Sequence, residues 1–201
     1  MVLKNLDVPF ANIEVARRTS ELLRLHAQKD KWRPSLPVPI EAIIERTLDL
    51  SLLYDDLSAH GANVLGALYP TERSICLNEK YLSSFEDCPG LERFTQAHEV
   101  GHWQMHVGVA SIDHPSLFDI DSEFDIDSEA FICRDGDRDA KEHTANRFAA
   151  RLLMPEDLVI SELNNYSLTS RERFRDFASR IGVSFAALHI RLDELHIPHQ
   201  W

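Results

Sequence analysis

The sequence predicts an α+β fold in which a small antiparallel sheet lies beside a long helix and a helical region follows near the C-terminus. Three observations support this prediction. The 201 residues are 44% hydrophobic, the usual share for a globular chain with its own core. Apolar residues recur at helical spacing before residue 30 and after residue 90. Between these regions, short apolar segments are bounded by Gly, Pro or Asn, as strands are.

The first predicted element is an amphipathic helix over residues 12–28, whose apolar side chains share one face. Three prolines in the segment 32–39 end this helix and form a stiff connector. The last of them, Pro39, suits the first turn of a second helix, predicted over residues 40–46.

Three strands of an antiparallel sheet are predicted next, at 50–53, 63–69 and 74–78. We expect the strand at 74–78 to lie at a sheet edge, where an extended peptide can pair with it. The remaining elements are helices, some with recognisable boundaries such as Pro155, Gly182 and the N-cap residue Ser184. These helices are predicted over residues 91–106, 140–153, 156–163, 170–180 and 184–195.

Charge and composition exclude several classes of protein. The formal net charge of −12 argues against a protein that coats nucleic acid, because binding phosphates requires an excess of Lys and Arg. The three cysteines form no Cys-x-x-Cys pair, residues 1–10 show no signal-peptide pattern, and no apolar run is long enough to cross a membrane. We therefore expect a soluble cytoplasmic protein. The ten histidines beside many carboxylates point towards metal binding.

The strongest motif is His-Glu-x-x-His, formed by His98, Glu99 and His102 on a predicted helix. Residues four apart share one helix face about 6 Å apart, so the two imidazoles can bind one Zn²⁺. Glu99 can then take a proton from a water molecule at the metal. Gly101 leaves room for another helix to pack closely.

A third ligand is needed, and two positions in the chain are candidates for it. A histidine six residues after His102 would give the metzincin spacing, but Gly108 stands there. A carboxylate from a later helix is the other option, and Glu142 supplies one. Asn146 lies on the same face as Glu142 and can accept the second ring N–H of a ligand histidine. His106, one turn beyond His102, is a candidate for an accessory role around the metal.

Two blocks of the chain resemble the ImmA/IrrE family of metallopeptidases. They are the sequence FTQAHEVGH at 94–102 and the pattern from Glu142 through ANRFAA to LLMP at 152–155. Shorter similarities extend the resemblance to about residues 34–197. It implies a zincin-like fold, Zn²⁺ bound by His98, His102 and Glu142, and Glu99 as the catalytic base. Family members typically cleave a helix-turn-helix repressor encoded beside them, which relieves repression under stress or during mobile-element induction.

With this resemblance the chain divides into three predicted parts. Residues 1–33 form an N-terminal helix, residues 34–155 form the metallopeptidase core, and residues 156–201 form a helical region resembling a helix-turn-helix. Residues 166–201 of that region carry five Arg and four acidic residues, which favours a packed cap or a substrate-docking surface over DNA binding. Within the core, an acidic insert occupies about residues 109–140.

The predicted activity is that of a zinc-dependent endopeptidase acting on a helix-turn-helix repressor, with Mn²⁺ as an alternative ion. Two other hypotheses remain open: a non-proteolytic metal-binding regulator that acts by binding a partner, and a structural zinc domain. Residues 113–142 contain 11 acidic and 3 basic side chains, a net charge of −8. This segment is interpreted as a solvated loop, as a flap that selects a basic partner, or as a Ca²⁺ site. Neither direct binding of nucleic acid nor a membrane is expected.

Overall fold

In the order of the sequence, helices come before, between and after the strands of a mixed sheet. The computed structural model describes residues 7–61, 63–107, 131–134 and 140–199. Its α-helices are α1 (Asp7–Lys29), α2 (Ile40–Ala42), α3 (Leu82–Asp87), α4 (Pro89–His102), α5 (Ala140–Leu153), α6 (Glu156–Leu163), α7 (Arg171–Arg180) and α8 (Phe185–Glu194). Two helices continue as π-helical turns, α2 through Ile43–Thr47 and α4 through Trp103–Val107. Short 3-10 turns cover Ser58–His60 and Glu79–Tyr81.

The helix predictions agree closely with these bounds. Residues 140–153 and 156–163 are helical as predicted, and Ser184 caps α8 by accepting from the backbone N–H of Ala187. Gly182 forms the preceding turn with a positive φ of 71°. The short helix α3 was not predicted, because its six residues are too few to show a helical repeat.

The sheet contains β1 (Ser51–Asp55), β2 (Val64–Tyr69), β3 (Ser74–Asn78) and β4 (Phe131–Arg134), in the spatial order β1-β3-β2-β4. β2 and β3 form an antiparallel hairpin in which Gly66 pairs with Leu77. β4 pairs antiparallel with β2 on the other side, within the acidic insert at about residues 109–140, where no strand was predicted.

Two predictions about the sheet were wrong. β1 runs parallel to β3, so the sheet is mixed and not antiparallel. The strand at 74–78 is not an edge, because β3 is paired on both sides. The parallel pairing of β1 with β3 is caused by long-range hydrogen bonds that the local sequence does not reveal. The Arg73 guanidinium donates to the carbonyls of Leu48 and Asp49, and the Ser51 N–H donates to the Arg73 carbonyl, so β1 starts beside the start of β3.

One apolar core joins the helices to the sheet. Its buried side chains extend from Val15 on α1 through Ile75 on β3 and Phe148 on α5 to Leu192 on α8. α4 lies at the centre and packs against α5 and against β2 and β3. The mixed α and β composition confirms the predicted fold class, whereas the division at residues 33 and 155 stays a prediction. Within the described ranges, no helix is long and apolar enough to cross a membrane.

Candidate metal centre

The first half of the centre is carried by α4. Pro89 occupies the first turn of this helix, where a missing N–H costs nothing, and Ala97 and Val100 bury the side that faces the core. His98 and His102 are four residues apart and therefore share the other side. Their ring centroids are 4.6 Å apart, and both side chains are almost fully buried.

The second half is carried by α5, which approaches α4 unusually closely. A Cβ atom added to Gly101 would lie 2.9 Å from the Ala145 carbonyl oxygen and 3.0 Å from the Ala145 Cα. Only glycine permits this approach, as the sequence suggested. The first turn of α5 is thereby held beside the histidines, and Glu142 extends from it.

Side chains of three residues that could bind a metal ion converge between the two helices. The Nε2 atoms of His98 and His102 are 2.9 Å apart. The two oxygens of Glu142 lie 3.0 Å from Nε2 of His98 and 3.1 Å from Nε2 of His102. The exposed fraction of the Glu142 side chain is 11%, so it is the part of the triangle nearest to solvent.

Asn146 fixes the orientation of His98. Its Oδ1 accepts from Nδ1 of His98 over 2.8 Å, one turn along α5 from Glu142. The proton of the neutral His98 ring is therefore on Nδ1, and Nε2 presents a lone pair to Glu142 and His102. The contact is the one that spacing suggested for Asn146.

The protonation states suit a cation. Burial lowers the pKa of His102, which favours the neutral imidazole. Burial opposes ionisation of Glu142, but the adjacent rings of His102 and His98 outweigh it and lower the pKa of Glu142 to about 2. Two neutral imidazoles and a carboxylate are a donor set that Zn²⁺ and related ions prefer. The residues present therefore fit a metal ion.

Glu99 lies beside this triangle on the sheet side of α4. It is fully buried, and among the described residues neither of its carboxylate oxygens has a hydrogen-bond partner. Burial raises the pKa of Glu99 to about 8, and the Glu142 charge adds to the rise while His98 opposes it. A buried carboxyl group without a partner is costly, so its presence indicates a chemical role.

Gly66 on β2 makes room for Glu99, which sequence analysis missed. A Cβ added to Gly66 would lie 2.7 Å from Cγ2 of Thr95 and 3.4 Å from Oε1 of Glu99. An isolated glycine inside a strand often marks such a close approach, and that signal was available in the sequence.

His106 contacts the backbone that carries Glu142. Its Nε2 donates to the Lys141 carbonyl over 3.2 Å, and its ring centroid is 5.4 Å from that of His102. The structure thus places His106 where it can steady the first turn of α5. Burial lowers the pKa of His106 to about 4, with His102 contributing.

Other candidates lie elsewhere. Three tyrosines make contacts away from the metal centre: Tyr54 donates to Glu92, Tyr69 is hydrogen-bonded to His60, and Tyr166 packs on Phe177. Most of the acidic segment 113–142 lies outside the described residues, so the proposed flap and Ca²⁺ site stay predictions. Its last residue, Glu142, lies at the centre.

Comparison with known proteins adds one finding. A family model described as the IrrE N-terminal-like domain, Peptidase_M78, matches residues 48–193, which is more than half of the 201-residue chain. The matched range includes His98, Glu99, His102 and Glu142. No curated protein matches the sequence.

Proposed function

Because the chain belongs to the Peptidase_M78 family of IrrE N-terminal-like domains, we propose that it is a zinc-dependent endopeptidase with its metal on His98, His102 and Glu142. The family match confirms the resemblance drawn from the two motif blocks. The main support for the proposal is the convergence of His98, His102 and Glu142, whose nearest nitrogen and oxygen atoms are 2.9 to 3.1 Å apart, with a buried carboxyl group beside them.

The chain's own residues supply acid–base chemistry and positioning. A bound metal would supply Lewis-acid polarisation of the scissile carbonyl and make water easier to deprotonate. Glu99 accepts the proton of the attacking water on its carboxylate and then donates it to the leaving nitrogen. Asn146 keeps Nε2 of His98 unprotonated and correctly turned. His106 holds the backbone beside Glu142.

We further propose that the substrate is a helix-turn-helix repressor whose cleavage relieves repression. The family resemblance supports this substrate class. Charge also supports it, because a chain with a net charge of −12 attracts a basic DNA-binding protein. The test is to incubate the zinc-loaded protein with the repressor encoded by the neighbouring gene and identify fragments by mass spectrometry. Cleavage at one defined bond is expected, and an intact repressor after prolonged incubation would contradict this assignment.

The full burial of Glu99 favours a second candidate, a metal-binding regulator that holds its partner without cutting it. Glu99→Gln separates the two, because it removes the base but keeps the side-chain volume. The peptidase proposal expects Glu99→Gln to bind the repressor and leave it intact. Glu86→Gln, at an exposed position on α3, is the matched control and should cleave like wild type. If wild type and Glu99→Gln relieve repression equally, the protein acts as a metal-binding regulator that does not cut its partner.

Manganese is the alternative ion. Running the same assay with protein loaded separately with Zn²⁺ and Mn²⁺ identifies the ion that supports cleavage. We expect Zn²⁺ to do so, because two imidazoles and one carboxylate match its usual catalytic donor set.

A further inference from the structure

A second triangle of potential metal ligands lies on α8 and the segment after it. His189 and Asp193 are four residues apart on the helix, and His199 returns to them from the following segment. Among the described residues, this group and His98, His102 and Glu142 are the two that bring three such ligand atoms within 4.8 Å of one another. The catalytic scheme proposed above makes no use of it.

The distances in this second triangle resemble those of the first. Nδ1 of His189 lies 3.0 Å from Nε2 of His199 and 3.2 Å from a carboxylate oxygen of Asp193. Nε2 of His199 lies 3.6 Å from the other oxygen of Asp193. Donor atoms that share one tetrahedral ion with bonds of about 2.0–2.1 Å are separated by roughly 3.3 Å, so the triangle has the size that such an ion requires.

A hydrogen bond fixes the tautomer of His199. Its Nδ1 donates to the Ile197 carbonyl over 3.0 Å, so the neutral ring presents the lone pair of Nε2 to His189 and Asp193. Asp193 also presents lone pairs only. A cation bound among these atoms accepts lone pairs from all three residues at once. Without a cation, a single proton on Nδ1 of His189 must be shared between His199 and Asp193.

The fold holds His199 in place for this role. Its side chain is only 4% exposed, and its ring lies 5.6 Å from that of Phe174 on α7. The chain reaches this position through a tight turn after α8, in which His196 has a positive φ of 55° and the Ile197 N–H donates to the Leu192 carbonyl. The Asp193 side chain is 64% exposed, which leaves the site open to a water ligand.

We propose that His189, Asp193 and His199 form a second binding site for a divalent transition-metal ion. Two imidazoles and one carboxylate select zinc and its late first-row neighbours over Ca²⁺ and Mg²⁺, which prefer oxygen ligands. The ion ties the segment that follows α8 back onto that helix. Because no residue of the first centre takes part, this site is independent of peptidase activity.

The first test measures zinc per chain after the purified full-length protein is equilibrated with Zn²⁺ by dialysis. His189→Gln and Asp193→Asn each remove one ligand at a partly or largely exposed position, so folding should be preserved. Each variant is expected to retain one zinc equivalent per chain fewer than wild type. The matched control is His196→Asn, which removes an exposed imidazole from the same segment, tolerates the positive φ and should match wild type.

The second test observes the ring nitrogens directly by ¹⁵N NMR during titration with Zn²⁺. Binding at this site shifts the resonances of His189 Nδ1 and His199 Nε2, and these shifts disappear in Asp193→Asn. Equal zinc contents in wild type, His189→Gln and Asp193→Asn, or ring resonances that respond to pH but not to zinc, would overturn the proposal. In that case the three residues share a proton and no metal.

Discussion

At the residue scale, the orientation of His98 depends on one hydrogen bond. Nδ1 of His98 donates to Oδ1 of Asn146, and this bond leaves Nε2 free of a proton on the side of Glu142. The partner of a ligand histidine usually contributes to metal affinity by fixing the ring and its tautomer.

We predict that Asn146→Ala weakens zinc binding at the first centre by about 10- to 100-fold, as loss of such partners commonly does. Competition with a chromophoric chelator measures the affinity. Asn146→Asp keeps an acceptor of similar size and serves as the control, with affinity close to that of wild type. An alanine variant that binds zinc as tightly as wild type would show that Asn146 does not position His98.

Individual residues of the centre could be predicted where the spacing itself carries the chemistry. The four-residue spacing of His98 and His102, and of Glu142 and Asn146, puts each pair on one helix face whatever the rest of the fold does. The position of Glu99 against Gly66 could not be predicted in this way, because it depends on how α4 packs on the sheet.

At the scale of elements, the contact between α4 and α5 sets the width of the centre. We predict that Gly101→Ala lowers the free energy of unfolding by about 1 kcal/mol or more. Helix propensity alone favours alanine by about 1 kcal/mol. The added methyl group, however, meets backbone atoms of Ala145 that cannot rotate away, and such overpacking costs about 1–3 kcal/mol with further loss from displaced helices.

Urea unfolding of wild type and Gly101→Ala measures this difference, and zinc affinity should fall in parallel as Glu142 moves away from the histidines. If Gly101→Ala instead raises the free energy of unfolding by the full helix propensity of alanine and binds zinc normally, α4 and α5 are not in close contact.

The stability that His26 on α1 contributes to the fold depends on pH. His26 is fully buried, and its Nδ1 lies 2.7 Å from Oγ1 of Thr47. Burial lowers the pKa of His26 below its ordinary value of 6.5, with Arg46 adding to the effect and Asp30 opposing it. The unfolded chain therefore binds this proton more readily than the folded one. Stability from His26 is full above about pH 6.5 and decreases as the pH falls further.

We predict that the unfolding free energy of wild type falls more steeply between pH 6.5 and pH 5 than that of His26→Gln. The difference in slope is at most about 1.4 kcal/mol per pH unit, the value for one proton. Urea unfolding at several pH values measures both curves, and the two should run parallel above pH 7.5. Parallel curves throughout the acidic range would contradict the predicted role of His26.

Local patterns were enough to predict the longer helices but not the order of the strands. Helices at 140–153 and 156–163 follow from periodic apolar residues and from Pro155, which separates them. The parallel pairing of β1 with β3 follows instead from Arg73 and its bonds to Leu48 and Asp49, more than 20 positions away in sequence. No repeat or turn signal reports such a contact.

At the scale of the whole molecule, the apolar core is large compared with the metal centre. Core side chains extend from Val15 to Leu192 and do not depend on the ligands for burial. We therefore predict that chelation abolishes peptidase activity and leaves the protein folded, with only a lower melting temperature. Far-UV circular dichroism and a thermal scan before and after zinc is restored measure this. Complete unfolding on chelation would instead indicate a structural zinc domain.

The net charge is distributed unevenly along the chain. Of the net charge of −12, −8 lies in residues 113–142, between the two blocks that carry the ligands. The sequence alone shows that this charge is concentrated in one segment, which ends at the proposed ligand Glu142. It could not show how the segment lies relative to the centre, because a highly charged stretch has no apolar pattern from which a packed position follows.

We propose that His98, His102 and Glu142 together hold one ion. Anomalous diffraction at the zinc absorption edge, from crystals of the zinc-loaded protein, tests it most directly. We predict an anomalous peak at about 2.0–2.2 Å from Nε2 of His98, from Nε2 of His102 and from the Glu142 carboxylate. A zinc-loaded crystal with no anomalous peak among these three residues would contradict the account.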